Sequence, residues 1–156
     1  MIKKPKTRLK KEKIYLSFKQ IEMLMEYGYS HPSKFQPEMI NAFKFMSLSG
    51  LRIGELIVLR FEDLDLEEMT IKVQRRFYKG NIDIPKNNKV QVIPLHPELL
   101  DVVKHQLELN AEFKEKHSTD SKELFLSSYT GKHISTTGFT RNLSNLGKAA
   151  LVFYYI

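Results

Sequence analysis

The sequence predicts an α+β domain, mostly helical, with a small three-stranded antiparallel sheet. Three observations carry that expectation. Apolar residues recur at helical spacing in both halves of the chain, and between residues 70 and 94 the period changes to strand-like alternation. The length is the third: 156 residues, 42% hydrophobic and 28% charged, are enough for one domain with a real core but not comfortably for two.

The first helix opens at Ser17, with Gln20 three residues on as the second half of a capping box. Ile21, Leu24 and Met25 follow at helical spacing, and Gly28 is the expected stop. A second helix starts with Pro37 in its first turn, buries Ile40, Phe43 and Met46 or Leu48, and ends at Gly50. The stretch SGLRIGELIVLR predicts a short third helix over about residues 52–60, with Ile53, Leu56 and Leu59 inward. Three strands are expected over 70–77, 82–85 and 90–94, with turns at Lys79-Gly80-Asn81 and Asn87-Asn88, forming a meander. HPELLDVVKHQLELNAEFKEK returns to helix for about five turns, counted at ~3.6 residues each. KELFLSSYTGKHIS reads as extended segment and loop, and STTGFTRNLSNLGKAA as a last helix capped by Ser135 or Thr136.

Charge is unevenly placed. Of the net +7, residues 1–13 hold +6, from Lys3, Lys4, Lys6, Arg8, Lys10, Lys11 and Lys13 against Glu12, and the rest of the chain is left with +1. A basic arm on a near-neutral body suits an anionic polymer, nucleic acid above all, and equally serves as a solubilising terminus. No run approaches the ~18 apolar residues of a membrane span, and MIKKPKTRLKKEK contains no secretory apolar segment. Zero cysteines exclude disulfides and thiolate metal sites and fit a reducing compartment, so the cytoplasm is expected. The five histidines are scattered with no metal-ligand spacing, and there is no phosphate-cradling glycine loop. No metal and no cofactor are expected.

Two features point to chemistry. Arg52 and Glu55 stand three residues apart in apolar sequence, on one face of the expected helix and near its start. Such a pair is either a plain helical ion pair worth a few tenths of a kcal/mol, or a guanidinium held by its carboxylate to grip a phosphate. Lys86 falls at the tip of the expected hairpin, where it could reach a ligand lying across the domain.

In this order, SGLRIGELIVLRFEDLDL, a strand, PKNNKVQVIPL and a helix resemble the first half of the catalytic domain of the tyrosine recombinases, the phage integrases. That family opens its site with T/S-G-L-R-x-x-E-L and an L-x-x-x-D-[I/L] turn, here Leu59 to Leu64 with Asp63, followed by a hairpin lysine ahead of an apolar-Pro-Leu strand end. YLSFKQIEML is similar to the family's first catalytic-domain helix, so the resemblance covers about residues 14–147. It implies that Arg52 binds the scissile phosphate and that Lys86 protonates the leaving 5′ hydroxyl, with Lys89 the alternative if the loop slips. Glu55 would orient Arg52, and duplex DNA would be the partner.

The chain departs from the pattern in two places. No histidine is followed by the family's His-x-x-Arg spacing, so Tyr154 and Tyr155 in LGKAALVFYYI lack the context of a nucleophile. Gln91 stands where many members carry an arginine. The expectation is therefore a basic arm over 1–13 and a partial, truncated catalytic domain over 14–156 that binds DNA without completing strand transfer alone. It would associate with itself or with a full-length recombinase; the alternative is a non-enzymatic regulatory module that competes with a full-length recombinase for its sites.

Overall fold

The computed structural model describes residues 16–84 and 90–152, the last two by backbone alone. The expected α+β architecture is present: five helices and two small antiparallel sheets among the described residues.

Helix α1 (Phe18–Ser30) begins at the expected capping box: the Gln20 N–H donates to Ser17 Oγ (3.3 Å) and the Ser17 N–H to Gln20 Oε1 (2.8 Å). Such caps stabilise a helix by about 1 kcal/mol. Gly28 does not end it. It lies inside the helix, where an added Cβ would sit 2.5 Å from Ile40 Cδ1 and 3.4 Å from Leu146 Cδ1. The glycine is there because neighbouring helices press on that spot. Helix α2 (Pro37–Ser49) has Pro37 in its first turn and stops at Gly50 in the left-handed region, φ 70°. It is the central helix, with Ile40, Ala42, Phe43 and Phe45 all buried.

The third helix is shorter than its apolar spacing suggests. Helix α3 (Ile53–Leu56) is a single turn with Arg52 as its N-cap. Ile57, Val58 and Leu59 are all buried, so no helical stripe could serve them. The chain straightens instead, and Arg60 bridges to Glu123. A 3-10 turn follows at Phe61–Asp63.

The meander is also corrected. Strands β1 (Leu64–Asp65), β2 (Thr70–Val73) and β5 (Gln91–Pro94) form the three-stranded sheet in the order β1-β2-β5. Strands β3 (Arg76–Tyr78) and β4 (Asn81–Asp83) form a separate hairpin, closed by Lys79 and Gly80 at φ 48° and 84°. Two consecutive positive φ values are the signature of a tight type I′ turn. The expected strand over 70–77 breaks in the middle because Gln74 and Arg75 turn their side chains onto the buried Asp63. In β2, Ile71 and Val73 face the core while Lys72 faces out, the alternation read from the sequence. The turn expected at Asn87-Asn88 lies outside the described residues.

Helix α4 (Leu99–His117) packs on α2 through Leu99, Val102, Val103 and Phe113. Between them runs a buried polar chain. Tyr29 Oη donates to Asn41 Oδ1, Asn41 Nδ2 to Gln106 Oε1, Gln106 Nε2 to Asn110 Oδ1, and Asn110 Nδ2 to the Leu124 carbonyl, at 2.7, 3.0, 2.9 and 2.7 Å. Burial pushes the Tyr29 hydroxyl pKa up to about 12. Leu124, Phe125 and Leu126 then run through the core, with Phe125 edge-on to Phe45 at 5.4 Å. Helix α5 (Thr136–Val152) closes the domain against α1 and α2. Its cap is Ser135, whose Oγ accepts the Gly138 N–H (2.9 Å). No helix among the described residues is long and apolar enough to cross a membrane.

Candidate functional site

The left-handed turn at Gly50 sends Leu51 into the core and Arg52 outward. The Arg52 N–H donates to Glu55 Oε2 (2.9 Å), and its guanidinium Nη1 lies 3.5 Å from Glu55 Oε1. Glu55 therefore fixes both the backbone and the head group of Arg52. The arginine side chain is 85% exposed, the glutamate 18%. An exposed pair of this kind contributes at most ~1 kcal/mol, so stability does not account for it. A guanidinium has five N–H donors, and among the described residues Glu55 is the one side chain that Arg52 engages. Arg52 is thus a held cation with donors to spare. A single-turn α3 adds no anion site of its own.

Gly54 sets how closely α3 approaches the hairpin. A Cβ there would meet the Phe77 carbonyl oxygen at 2.6 Å, so glycine lets α3 lie directly on β3. The hairpin is thereby held against α3, the turn that Arg52 caps. It carries Tyr78, 55% exposed, with the Arg76 guanidinium and the Lys79 ammonium 5.4 and 5.3 Å from its ring centre. On its other side Phe77 packs on His133 at 5.3 Å. His133 Nδ1 donates to the Ile134 carbonyl (2.9 Å), which anchors the ring just ahead of α5.

Helix α5 presents a face that sequence reasoning missed. Thr140, Arg141, Ser144, Asn145 and Lys148 are exposed, and with Thr136 and Thr137 they line a shallow groove of about 520 Å³. Phe139, Leu146 and Ala150 on the opposite face are buried. The signal was in the sequence: hydroxyl, amide and cationic residues recur every fourth position, and residues 136–152 contain no acid.

Lys86 and Lys89 lie outside the described residues, between β4 and β5 in the chain. So do Lys3, Lys4, Lys6, Arg8, Lys10, Lys11 and Lys13 of the arm, and Tyr154 and Tyr155. Gln91 is exposed on β5. Among the described residues no group of three or more His, Asp or Glu is arranged to hold a metal ion.

The model of the phage integrase family matches residues 14–152. A curated relative, the tyrosine recombinase XerC of Roseiflexus castenholzii (strain DSM 13941 / HLO8), is 24% identical over 127 residues, covering 80% of this chain and 36% of that protein. Among solved structures, the Tn1549 transposon integrase in complex with transposon right end DNA superposes with a TM-score of 0.70 at 23% identity, over 89% of this chain and 47% of that one. XerA recombinase gives 0.64 at 24%, over 94% and 45%. A lambda integrase dimer bound to a COC′ core site gives 0.60 at 16%, over 92% and 37%. At these identities the structural likeness shows the fold, and the chain spans less than half the length of each of these relatives.

Proposed function

The chain belongs to the phage integrase family, and from that premise we propose that it binds duplex DNA and carries the first catalytic groups of a tyrosine recombinase. The observation that supports this best is Arg52: exposed, aligned by Glu55, and otherwise unexplained by stability. In transfer of a phosphodiester, charge develops on the non-bridging oxygens, and a guanidinium donating two parallel N–H bonds stabilises it without a metal. Arg52 fills that role and Glu55 keeps it oriented. Lys86, or Lys89 in the alternative register, gives a proton to the leaving 5′ oxygen.

Binding draws on other groups. Helix α5 offers donors along one exposed face, a shape and chemistry suited to the major groove. The lysines and arginine of residues 1–13 add attraction that is independent of sequence. Two of the solved relatives hold DNA, the Tn1549 integrase and the lambda integrase. The lambda integrase structure is a dimer, which favours self-association or pairing with a full-length recombinase here.

The 156 residues alone do not form the covalent bond. Cleavage needs an oxygen nucleophile opposite the leaving group, and no His-x-x-Arg segment accompanies Tyr154 or Tyr155. The test combines binding and chemistry. On a labelled duplex, fluorescence anisotropy should show salt-dependent binding that Arg52→Ala weakens about tenfold, the loss expected for a charge-assisted contact. On a nicked suicide substrate no protein–DNA adduct should survive a denaturing gel. An adduct that disappears in the Tyr154→Phe, Tyr155→Phe double variant would overturn the inactivity, and full binding by Arg52→Ala would overturn the role of Arg52.

A further inference from the structure

Between the start of α2, the loop 127–135 and the first turns of α5 lies a cleft of about 490 Å³ whose chemistry is one-sided. Four hydroxyl groups line it, and each already accepts a hydrogen bond from the protein. Ser127 Oγ accepts the Tyr129 N–H (3.2 Å), Thr130 Oγ1 the Lys132 N–H (3.2 Å), Ser135 Oγ the Gly138 N–H (2.9 Å), and Tyr129 Oη the Gln36 Nε2–H (3.0 Å). A hydroxyl has one proton to donate and two lone pairs. With one lone pair engaged, each of these keeps its O–H proton free of any acceptor among the described residues.

Cations complete the set. Lys34 and Arg141 line the same cleft, neither makes an ion pair among the described residues, and no carboxylate lines it. Gln36 holds the arrangement: its Nε2 donates to Tyr129, and its Oε1 accepts from Asn142 Nδ2 (2.5 Å), so loop, α2 and α5 are tied through one side chain. Free hydroxyl protons and two cations without ion pairs, in a cleft with no carboxylate, favour an anion with several oxygens. The cleft shares Arg141 and Asn145 with the α5 groove. Whatever lies along α5 therefore passes the cleft.

We propose that this cleft seats a backbone phosphate of the same duplex, with Tyr129 and Lys34 as direct contacts and Gln36 as the residue that positions Tyr129. The proposal rests on the DNA-binding reading and adds a specific phosphate seat to it. Tyr129 is 71% exposed, so removing its hydroxyl leaves the core untouched.

The test uses the full chain and a fluorescein-labelled duplex, with affinity measured across a salt series for the parent, Tyr129→Phe, Lys34→Ala and the control Lys104→Ala, an exposed lysine of α4 that lines neither cleft. Tyr129→Phe should weaken binding about tenfold or more, as loss of one hydrogen bond to a charged group does. Lys34→Ala should flatten the log–log salt slope by about 0.9, one phosphate contact, while Lys104→Ala should not. Equal slopes for the two lysine variants would overturn the proposal, leaving only long-range charge. A free phosphate is the other source of the same chemistry. If inorganic phosphate at matched ionic strength raises the Tm of the parent but not of Tyr129→Phe, while both bind DNA equally, the seat serves free phosphate and the proposal fails. A parent chain that binds no duplex would overturn the functional reading itself, a result distinct from a parent that binds and a Tyr129→Phe variant that binds equally well.

Discussion

Arg52–Glu55 and Arg60–Asp63 are two versions of one local motif in neighbouring segments. In each, an acid accepts the backbone N–H of the arginine three residues before it, at 2.9 Å in the first and 2.8 Å in the second. Their fates differ. The Asp63 carboxylate also receives Gln74 Nε2 and Arg75 Nη2 and is 2% exposed, whereas Arg52, 85% exposed, meets only Glu55 among the described side chains. Local sequence builds the same turn twice, and the rest of the chain closes one and leaves the other open. A closed cluster holds the fold, and an open one has donors left for a ligand.

Breaking the closed cluster should cost most. Asp63→Ala leaves Arg75, 17% exposed at its side chain, without its buried partner. Removing one member of a buried ion pair costs about 3 kcal/mol or more, and urea denaturation should show it as a lower midpoint with an unchanged slope. If Asp63→Ala unfolds at the parent's midpoint, the distinction between closed and open pairs collapses.

The intermediate case is Gly54→Ala, two residues after Arg52 in the same turn, which forces a methyl against the Phe77 carbonyl. Overpacking of this kind costs ~1–3 kcal/mol. Because the hairpin must move from α3, affinity for DNA should fall along with thermal stability, and a stable variant with parental affinity would show that the hairpin does not support Arg52.

The smallest stability effect belongs to the open pair. Glu55→Ala removes one N-cap bond and an exposed ion pair, together about 1–2 kcal/mol. Its DNA affinity should nonetheless drop, since Arg52 loses the group that aims it. A stability loss matching Asp63→Ala would mean that Glu55 is structural after all.

What the sequence discloses here follows from how local each feature is. The Ser17–Gln20 box, Pro37, Gly50, the Lys79-Gly80 turn and the long helix α4 each depend on residues a few positions apart, and each appears as read. The third helix does not, because the core demands Ile57, Val58 and Leu59 in succession, which no helix face allows. The sheet was legible as small and antiparallel but not in its order. β2 pairs with β1 and with the distant β5, and the strand read over 70–77 yields to Asp63. At the site, the exposure of Arg52 and its tie to Glu55 follow from a contiguous motif. The α5 face and the hydroxyl cleft do not, since residues from Lys34 to Asn145 meet there only once the chain has folded.

The amide chain between α2 and α4 acts as a ruler. Leucine and phenylalanine contacts weaken gradually as two helices slide, but hydrogen bonds fail steeply once donor and acceptor lose distance and alignment. Asn41, Gln106 and Asn110 link end to end and finish on the Leu124 carbonyl. A slip of α4 by one turn, ~5.4 Å, would strand all of these amides in a dry interior. The two helices therefore have one permitted alignment instead of a range of near-equivalent ones. That alignment fixes where α4 delivers the chain to Leu124, and hence where the loop 127–135 and α5 begin.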